Sequence, residues 1–386
     1  MAEQMIYLDY AASTPVDARV LDRMRDVAEK NCANPSSTHA AGREAQAIIA
    51  DAAAQLGGLL NVDPATLIWT SGATESDNLA IAGGARYRAH RGRHIVTMKT
   101  EHKAVTDVFE TLASEGFDVT WVEADMDGRL RPETFAAALR DDTQFASIMF
   151  VNNETGVIQD IEALGLVCRE HDVLFHVDGA QAVGKLPIDL GKLPVDLLSL
   201  TGHKFYGPKG IGALYIADRQ GCHVEPILFG GGQQRRLRPG TLPTDLVAGL
   251  GMAAEVAAAS IESDLEHLRD LRQLLWEGIR DIEGVVLNGD PGGFPGILNV
   301  SVDDIEGESL LLALEPLLVA TGSACNSKTQ EPSYVLRALG LSDEQAQSAI
   351  RFSIGRPTTR DEVEFAASHY RDAVARLRDL APKAAA

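Results

Sequence analysis

Cysteine is scarce in this chain, positive charge is in deficit and long apolar runs are missing. Four cysteines in 386 residues, Cys32, Cys168, Cys222 and Cys325, stand far apart with no C-x-x-C pair. That spacing suits neither a zinc knuckle nor a disulfide framework, so no metal site is expected and a reducing compartment is. Lys plus Arg number 35 against 55 Asp plus Glu, a formal charge of −20. A net acidic surface repels phosphate backbones and argues against non-specific nucleic-acid binding, while leaving room for a local basic patch. No apolar stretch approaches the roughly 18 residues of a membrane span. Met1-Ala2-Glu3-Gln4 shows no basic region leading into an apolar one, so no secretory signal is expected. A soluble, cytoplasmic protein is the expectation.

Apolar residues at 45% and charged residues at 23% are ordinary for a globular protein. The length exceeds what one hydrophobic core usually organises, which predicts a large and a smaller domain. From about Asp17 to Ala248, short apolar runs alternate with helical patterns, the expectation for a mostly parallel sheet covered by helices. The runs are Leu67–Trp69, His94–Met98, Val119–Val122, Ala146–Val151, Leu174–Val177, Leu197–Leu200 and Gly212–Ile216. Near residue 250 the texture changes. Leu265, Leu268, Leu271, Leu275, Ile279 and Ile282 mark an amphipathic helix, Ile297–Val302 reads as a strand, and helical patterns return at Leu310–Leu314, Ser333–Leu339 and Glu362–Leu380. The predicted division is a large domain over residues 15–250 and a smaller α+β domain from residues 1–14 and 251–386.

Polar residues cluster just beyond five of the runs, where open α/β sheets bind ligands. Lys204 follows Thr201-Gly202-His203 at one such end. A lysine leaving a buried strand can lose its proton and form a Schiff base. Asp178 ends another run, where a carboxylate can keep a pyridine nitrogen protonated. Ser71-Gly72-Ala73-Thr74-Glu75-Ser76 opens a helix with small residues and hydroxyls that suit a phosphate, and simple N-capping is compatible with that role. His102 follows His94–Met98 closely enough to stack on a flat ring over the same edge. Cys325 lies in the small-residue stretch Thr321-Gly322-Ser323-Ala324-Cys325-Asn326-Ser327-Lys328. Its thiol needs only a modest shift from about 8.5 to become a nucleophilic thiolate. Cys168, in an apolar helical pattern, reads as core.

These residues fall in ordered motifs spanning nearly the whole chain: Tyr7-Leu8-Asp9-Tyr10-Ala11-Ala12, Asn34-Pro35-Ser36-Ser37-Thr38-His39, Thr70-Ser71-Gly72-Ala73-Thr74-Glu75-Ser76-Asp77-Asn78, Thr100-Glu101-His102, Val151-Asn152-Asn153-Glu154-Thr155-Gly156, Val177-Asp178-Gly179-Ala180-Gln181, Gly202-His203-Lys204, Arg238-Pro239-Gly240-Thr241, Gly322-Ser323-Ala324-Cys325 and Ile350-Arg351-Phe352-Ser353. Together they resemble the cysteine desulfurases of the NifS/IscS kind, in the class-V aminotransferase family of fold-type-I pyridoxal-phosphate enzymes.

The resemblance implies pyridoxal 5′-phosphate as cofactor, with Lys204 its Schiff-base lysine, Asp178 the partner of the ring nitrogen and His102 stacked on the ring. It implies that Thr74, Thr201, His203 and the Ala73 backbone hold the phosphate. Thr241 is implied to reach the phosphate of a second subunit in a homodimer. Asn153 and Gln181 are implied at the ring hydroxyl, with Asn153 also near substrate, and Arg351 and Asn34 at the carboxylate of L-cysteine. Cys325 is implied to take the sulfur as a persulfide, releasing L-alanine, and to pass it to an acceptor protein. Selenocysteine lysis, another class-V reaction and a non-catalytic sulfur-pathway adaptor are the alternatives.

The chain departs from the family pattern in small ways. Ala33 stands at a usual glycine and Thr201 where serine is common. The sequence stops soon after Glu362–Leu380, without the longer tail with which housekeeping members engage their iron–sulfur scaffold. That counts against a general housekeeping role and leaves a dedicated pathway open, such as specialised iron–sulfur cluster assembly, RNA thiolation or DNA sulfur modification. The basic run Arg235-Arg236-Leu237-Arg238 is expected to order the loop around Thr241, or to face a partner.

Overall fold

The computed structural model describes residues 5–321 and 331–380. A two-residue strand, β1 (Ile6–Tyr7), precedes helices Ala18–Lys30 and Ala40–Leu60. The expected alternation follows: β2 (Leu67–Thr70), β3 (His94–Met98), β4 (Asp118–Val122), β5 (Thr143–Met149), β6 (Leu174–Asp178), β7 (Leu197–Thr201) and β8 (Gly212–Ile216). Helices Ala73–Arg88, Lys103–Ser114, Pro132–Ala138 and Ile161–Glu170 connect β2 through β6. One sheet holds all seven strands in the order β2-β8-β7-β6-β5-β3-β4. Only β8 runs against its neighbours β7 and β2. The other pairs are parallel, so six strands end at one common edge.

Helices on both faces let β2, β3 and β5 to β8 bury every residue, which is why they read as continuous apolar runs. The two-residue period still sorts them. Ile95, Phe145, Leu174 and Leu197 face one apolar cluster with Leu79 and Phe109. Val96, Ala146, Phe175 and Leu198 face the other, with Leu250 and Ala254. Each Val, Leu, Ile or Phe among them contributes roughly 1.5–3 kcal/mol on full burial. Cys168 belongs to the second cluster at 1% exposure, as its pattern indicates.

The helix Thr244–Ile279 runs for 36 residues, beginning well before the leucine repeat that reveals it in the sequence. Its first half is rich in Ala and Gly because it packs closely on Ala40–Leu60; a Cβ on Gly251 would lie 2.6 Å from Ala52 Cα. The helix is long and apolar enough to cross a membrane. Its apolar face, Val247 and Leu250 through Leu275 and Ile279, is spent on the core.

Beyond it come β9 (Val285–Leu287), β10 (Ile297–Val302), β11 (Leu317–Leu318), β12 (Ala320–Thr321) and β13 (Ile350–Ser353), with helices Gly307–Ala313, Tyr334–Ala338, Asp343–Gln347 and Arg360–Leu380. Four strands make an antiparallel sheet in the order β12-β13-β10-β9. The N-terminal segment joins this end of the molecule: β1 pairs with β11, and Asp9 bridges to Ser353.

One strand is displaced from its apolar run, beginning at Thr143 rather than Ala146. β5 stops at Met149 rather than Val151, because the chain swings over the end of β6. There Phe150 N–H donates to the Asp178 carbonyl at 2.9 Å, and Val151 pairs with Ile158 across a tight turn.

Candidate active site

At the common strand edge lies a cavity of about 510 Å³. Ala73, Thr74, His102, Asn153, Asp178, Gln181, Thr201, His203, Lys204 and Arg351 all line it. Ten of the residues singled out in the sequence therefore meet, from strands far apart in the chain. Asn34 and Thr241 are exposed and do not line it. Cys325 lies outside the described residues.

Lys204 ends a single turn, Gly202–Lys204, that follows β7. The turn is gripped by the N-terminal segment: Thr14 donates to the His203 carbonyl through N–H and Oγ1, at 2.9 and 3.0 Å. Lys204 Nζ donates to the carbonyls of Ala11 and, at 2.9 Å, Ala12. The amine is thus aimed by acceptors on a segment almost 200 residues away in sequence.

Asp178 closes β6, and its Oδ1 accepts from Ala180 N–H at 2.9 Å. Gly179 must follow, since a Cβ there would lie 2.9 Å from the Ser199 carbonyl of β7. Burial raises the Asp178 carboxyl, while that N–H, His102 and Lys204 draw it back down. A cationic group placed beside it restores the ionised form. Behind Asp178, His176 is bonded to Ser147 Oγ at 2.8 Å and Ser199 Oγ at 2.9 Å. Burial pushes His176 down to about 3, so it is a neutral spacer.

His102 caps the helix Lys103–Ser114, its Nδ1 accepting from Ala104 N–H at 3.1 Å. Because Nδ1 accepts, a neutral ring carries its proton on Nε2. Burial lowers this histidine and favours that neutral form.

The phosphate-like cradle forms where the helix Ala73–Arg88 begins. Gly72 has φ +154, a conformation open to glycine, and among the described residues no side chain caps the helix. Its first N–H groups and the positive end of its dipole therefore meet the cavity beside Thr74, Thr201 and His203. Lys204 and Lys209 add positive charge. Burial pushes His203 down to about 4, with Lys204, Lys209 and Lys185 contributing. Arg238 braces the cradle through Glu75, at 2.7 Å, while Glu75 Oε2 accepts from Ser71 N–H at 2.7 Å. Burial pushes Glu75 up, yet Arg238 and Ser71 together hold it below the usual carboxylate range. Arg238 thus ties the segment before Thr241 to the start of this helix.

Arg351 enters from the other sheet, on β13, and is 5% exposed. One nitrogen donates to the Asn153 carbonyl and another to Asp9 Oδ1, both at 2.7 Å. Its Nε is buried without a hydrogen-bond partner among the described residues. A rigidly held guanidinium of this kind suits a carboxylate ligand.

Several charged groups of the site carry no role in the sequence reading. Asp77 lines the cavity with no hydrogen bond to either oxygen among the described residues and His176 Nε2 3.6 Å from Oδ1, and burial, then Asp178, raises it well above the usual range. Glu154 lines the cavity and accepts from Ser333 Oγ at 2.5 Å. Lys185 donates to Gln181 at 2.7 Å. Asp77 and Glu154 do sit inside the quoted motifs, but nothing in a motif says which way a side chain points.

The fold and the site define a class, and comparison agrees. The model of the aminotransferase class-V family matches residues 6–365, and the chain belongs to that family. Within it, the chain is similar to cysteine desulfurases. It is 50% identical to cysteine desulfurase IscS of Enterobacter sp. (strain 638) over 381 residues, 98% of this chain and 94% of that one. A solved NifS-like protein matches with a TM-score of 0.90 at 34% identity, covering 97% of this chain and 100% of the other. SspA in complex with cysteine matches with a TM-score of 0.82 at 37% identity, covering 92% and 99%. Enzymes of this kind depend on pyridoxal phosphate, and the cavity fits it. The uncapped helix start, the Asp178 carboxyl and the Lys204 amine match the phosphate, ring nitrogen and aldehyde of that molecule.

Proposed function

We propose that Cys325 takes the sulfur of L-cysteine as a persulfide, in a cavity where Lys204, Asp178 and His102 hold pyridoxal phosphate. The chain is a pyridoxal-phosphate-dependent cysteine desulfurase. The observation that carries the assignment of roles is the meeting of Lys204, Asp178 and His102, from three strand ends, with Arg351 of the second sheet around one cavity. When bound, the cofactor supplies an electron sink for bond breaking at the substrate α-carbon.

The chain's own groups do the rest. Asp178 would offer negative charge to the ring nitrogen, and neutral His102, its proton on Nε2, would meet the ring. The first turn of Ala73–Arg88, Thr74, Thr201 and His203 would hold the phosphate. Asn153 and Gln181 serve the ring hydroxyl. Arg351 binds the substrate carboxylate, joined by Asn34, and the Lys204 amine moves the α-proton.

Sulfur transfer falls to Cys325. Its thiolate attacks the substrate sulfur, the C–S bond breaks, and the carbon fragment takes a proton and leaves as alanine. The new S–S bond keeps the sulfur on the enzyme. Sequence distance supports this role: Thr321 lines the cavity, and four residues of extended chain span at most about 14 Å. After residue 330 the chain is again tied to the cavity wall through Ser333 and Glu154, and Tyr334 Oη donates to the carbonyl of Glu101, next to the lining residue His102.

The persulfide then passes to a thiol of an acceptor protein, which fits a reducing, cytoplasmic setting. A homodimer completes the phosphate site. Thr241 is exposed and away from its own chain's cavity, on a loop braced by Arg238, where it is available to a second copy. The test is direct. Purified protein supplied with pyridoxal phosphate should be yellow and should convert cysteine to alanine, and Lys204→Ala should lose both colour and turnover. A wild-type protein that takes up no cofactor would overturn the reading.

A further inference from the structure

Gln181 lies between two groups that determine its orientation. Lys185 Nζ donates to one end of its amide at 2.7 Å. At the other end, the amide donates to the Ala11 carbonyl at 2.8 Å. The same Ala11 carbonyl accepts from Lys204 Nζ. A continuous chain of hydrogen bonds therefore runs from Lys185 through Gln181 and Ala11 to Lys204.

We propose that Lys185 is a positioning residue that locks the Gln181 amide with Nε2 toward the reaction cavity. Shape alone cannot tell the two ends of an amide apart, so bonding partners decide. Lys185 Nζ donates to Gln181 Oε1, and the Ala11 carbonyl can only accept, whatever the charge on the amine. With Lys185 on one side and Ala11 on the other, just one orientation satisfies both. Reversal would set the amide oxygen against the Ala11 oxygen and break the Lys185 donation to Oε1.

The lysine is a costly way to fill this position. Its amine sits 5.7 Å from the centre of the Phe294 ring. Burial holds it well below the usual lysine range, and Lys204 and Arg351 lower it further. Methionine would fill the same space without that penalty, so the feature the site uses is the donor. The inference rests on the cofactor placement proposed above. Gln181 lines the cavity, and a fixed N–H donor there favours the ionised form of the ring oxygen it meets.

The experiment is a double-mutant cycle on the holoenzyme, reading pyridoxal-phosphate affinity by reconstitution and the position of the visible absorbance band. Lys185→Met should weaken affinity about 2- to 10-fold, the scale of one hydrogen bond, and should move the band. In a Gln181→Ala background it should change neither. Equal losses in both backgrounds, or no loss in the first, would overturn the proposal. If Lys185→Met does not fold, Lys185→Arg, which keeps donors, should retain the wild-type band, and a moved band would count against the proposal. Failure of wild-type protein to take up pyridoxal phosphate would sink the cofactor reading as well. An additive cycle in a yellow, active enzyme would sink only the role of Lys185.

Discussion

Replacing Glu154 by glutamine should stabilise the protein at neutral and alkaline pH and do little in acid. Glu154 is 5% exposed, and burial pushes its carboxyl from 4.5 up to about 7, against the pull of Ser333 and Arg351. The folded protein therefore holds this proton more tightly than the unfolded chain does. Wild-type stability from this group is full below pH 4.5 and falls as pH climbs toward 7. At about 1.4 kcal/mol per tenfold change in proton affinity, the loss approaches about 3 kcal/mol above pH 7. The glutamine side chain has nothing to ionise and would still accept from Ser333 Oγ. Spread over a chain of this length, about 3 kcal/mol corresponds to a midpoint shift of about 4 °C. Thermal melts of wild type and Glu154→Gln at pH 5 and pH 8 should coincide at the first and separate by a few degrees at the second, the variant higher. A gap of the same size at both pH values, or a variant weaker at pH 8, would refute the reasoning.

Two further outcomes follow from the site. Arg351→Gln should raise KM for cysteine about 10- to 100-fold, the value of a charge-assisted contact, with a smaller effect on kcat in steady-state assays. Thr241→Ala should leave the assembly a dimer by sedimentation but speed the loss of pyridoxal phosphate on dialysis; a fully active wild-type monomer would contradict the shared site.

The layout of the large sheet was legible because both its faces are covered. Buried strands such as His94–Met98 and Gly212–Ile216 stand out as apolar runs with no alternation to blur their ends. The reversed direction of β8 was not legible, since an apolar run has no arrow. Lys204, Asp178 and His102 could be found because each lies at or just beyond a strand end, where chemistry concentrates in such sheets. Arg351 came only through family resemblance, as nothing local says that β13 faces the first sheet's edge. Asp77 and Lys185 were missed for a related reason. Both are charged residues pointing inward from otherwise apolar or turn segments, and sequence spacing does not reveal a hydrogen-bond partner such as Gln181. The helix Thr244–Ile279 read short because its first turns are Ala and Gly, selected for close packing rather than for an apolar stripe.

The central claim is that sulfur leaves the substrate for Cys325, and a Cys325→Ala variant tests it most directly. The variant keeps Lys204, Asp178 and the phosphate cradle, so it should bind pyridoxal phosphate and respond spectrally to cysteine as wild type does. Without a thiolate to accept sulfur, alanine release should fall to near background, because a covalent step is removed rather than a contact weakened. Labelled cysteine should leave a persulfide on the wild-type protein and none on the variant. Alanine release from the variant at the wild-type rate, without added reductant, would contradict the account.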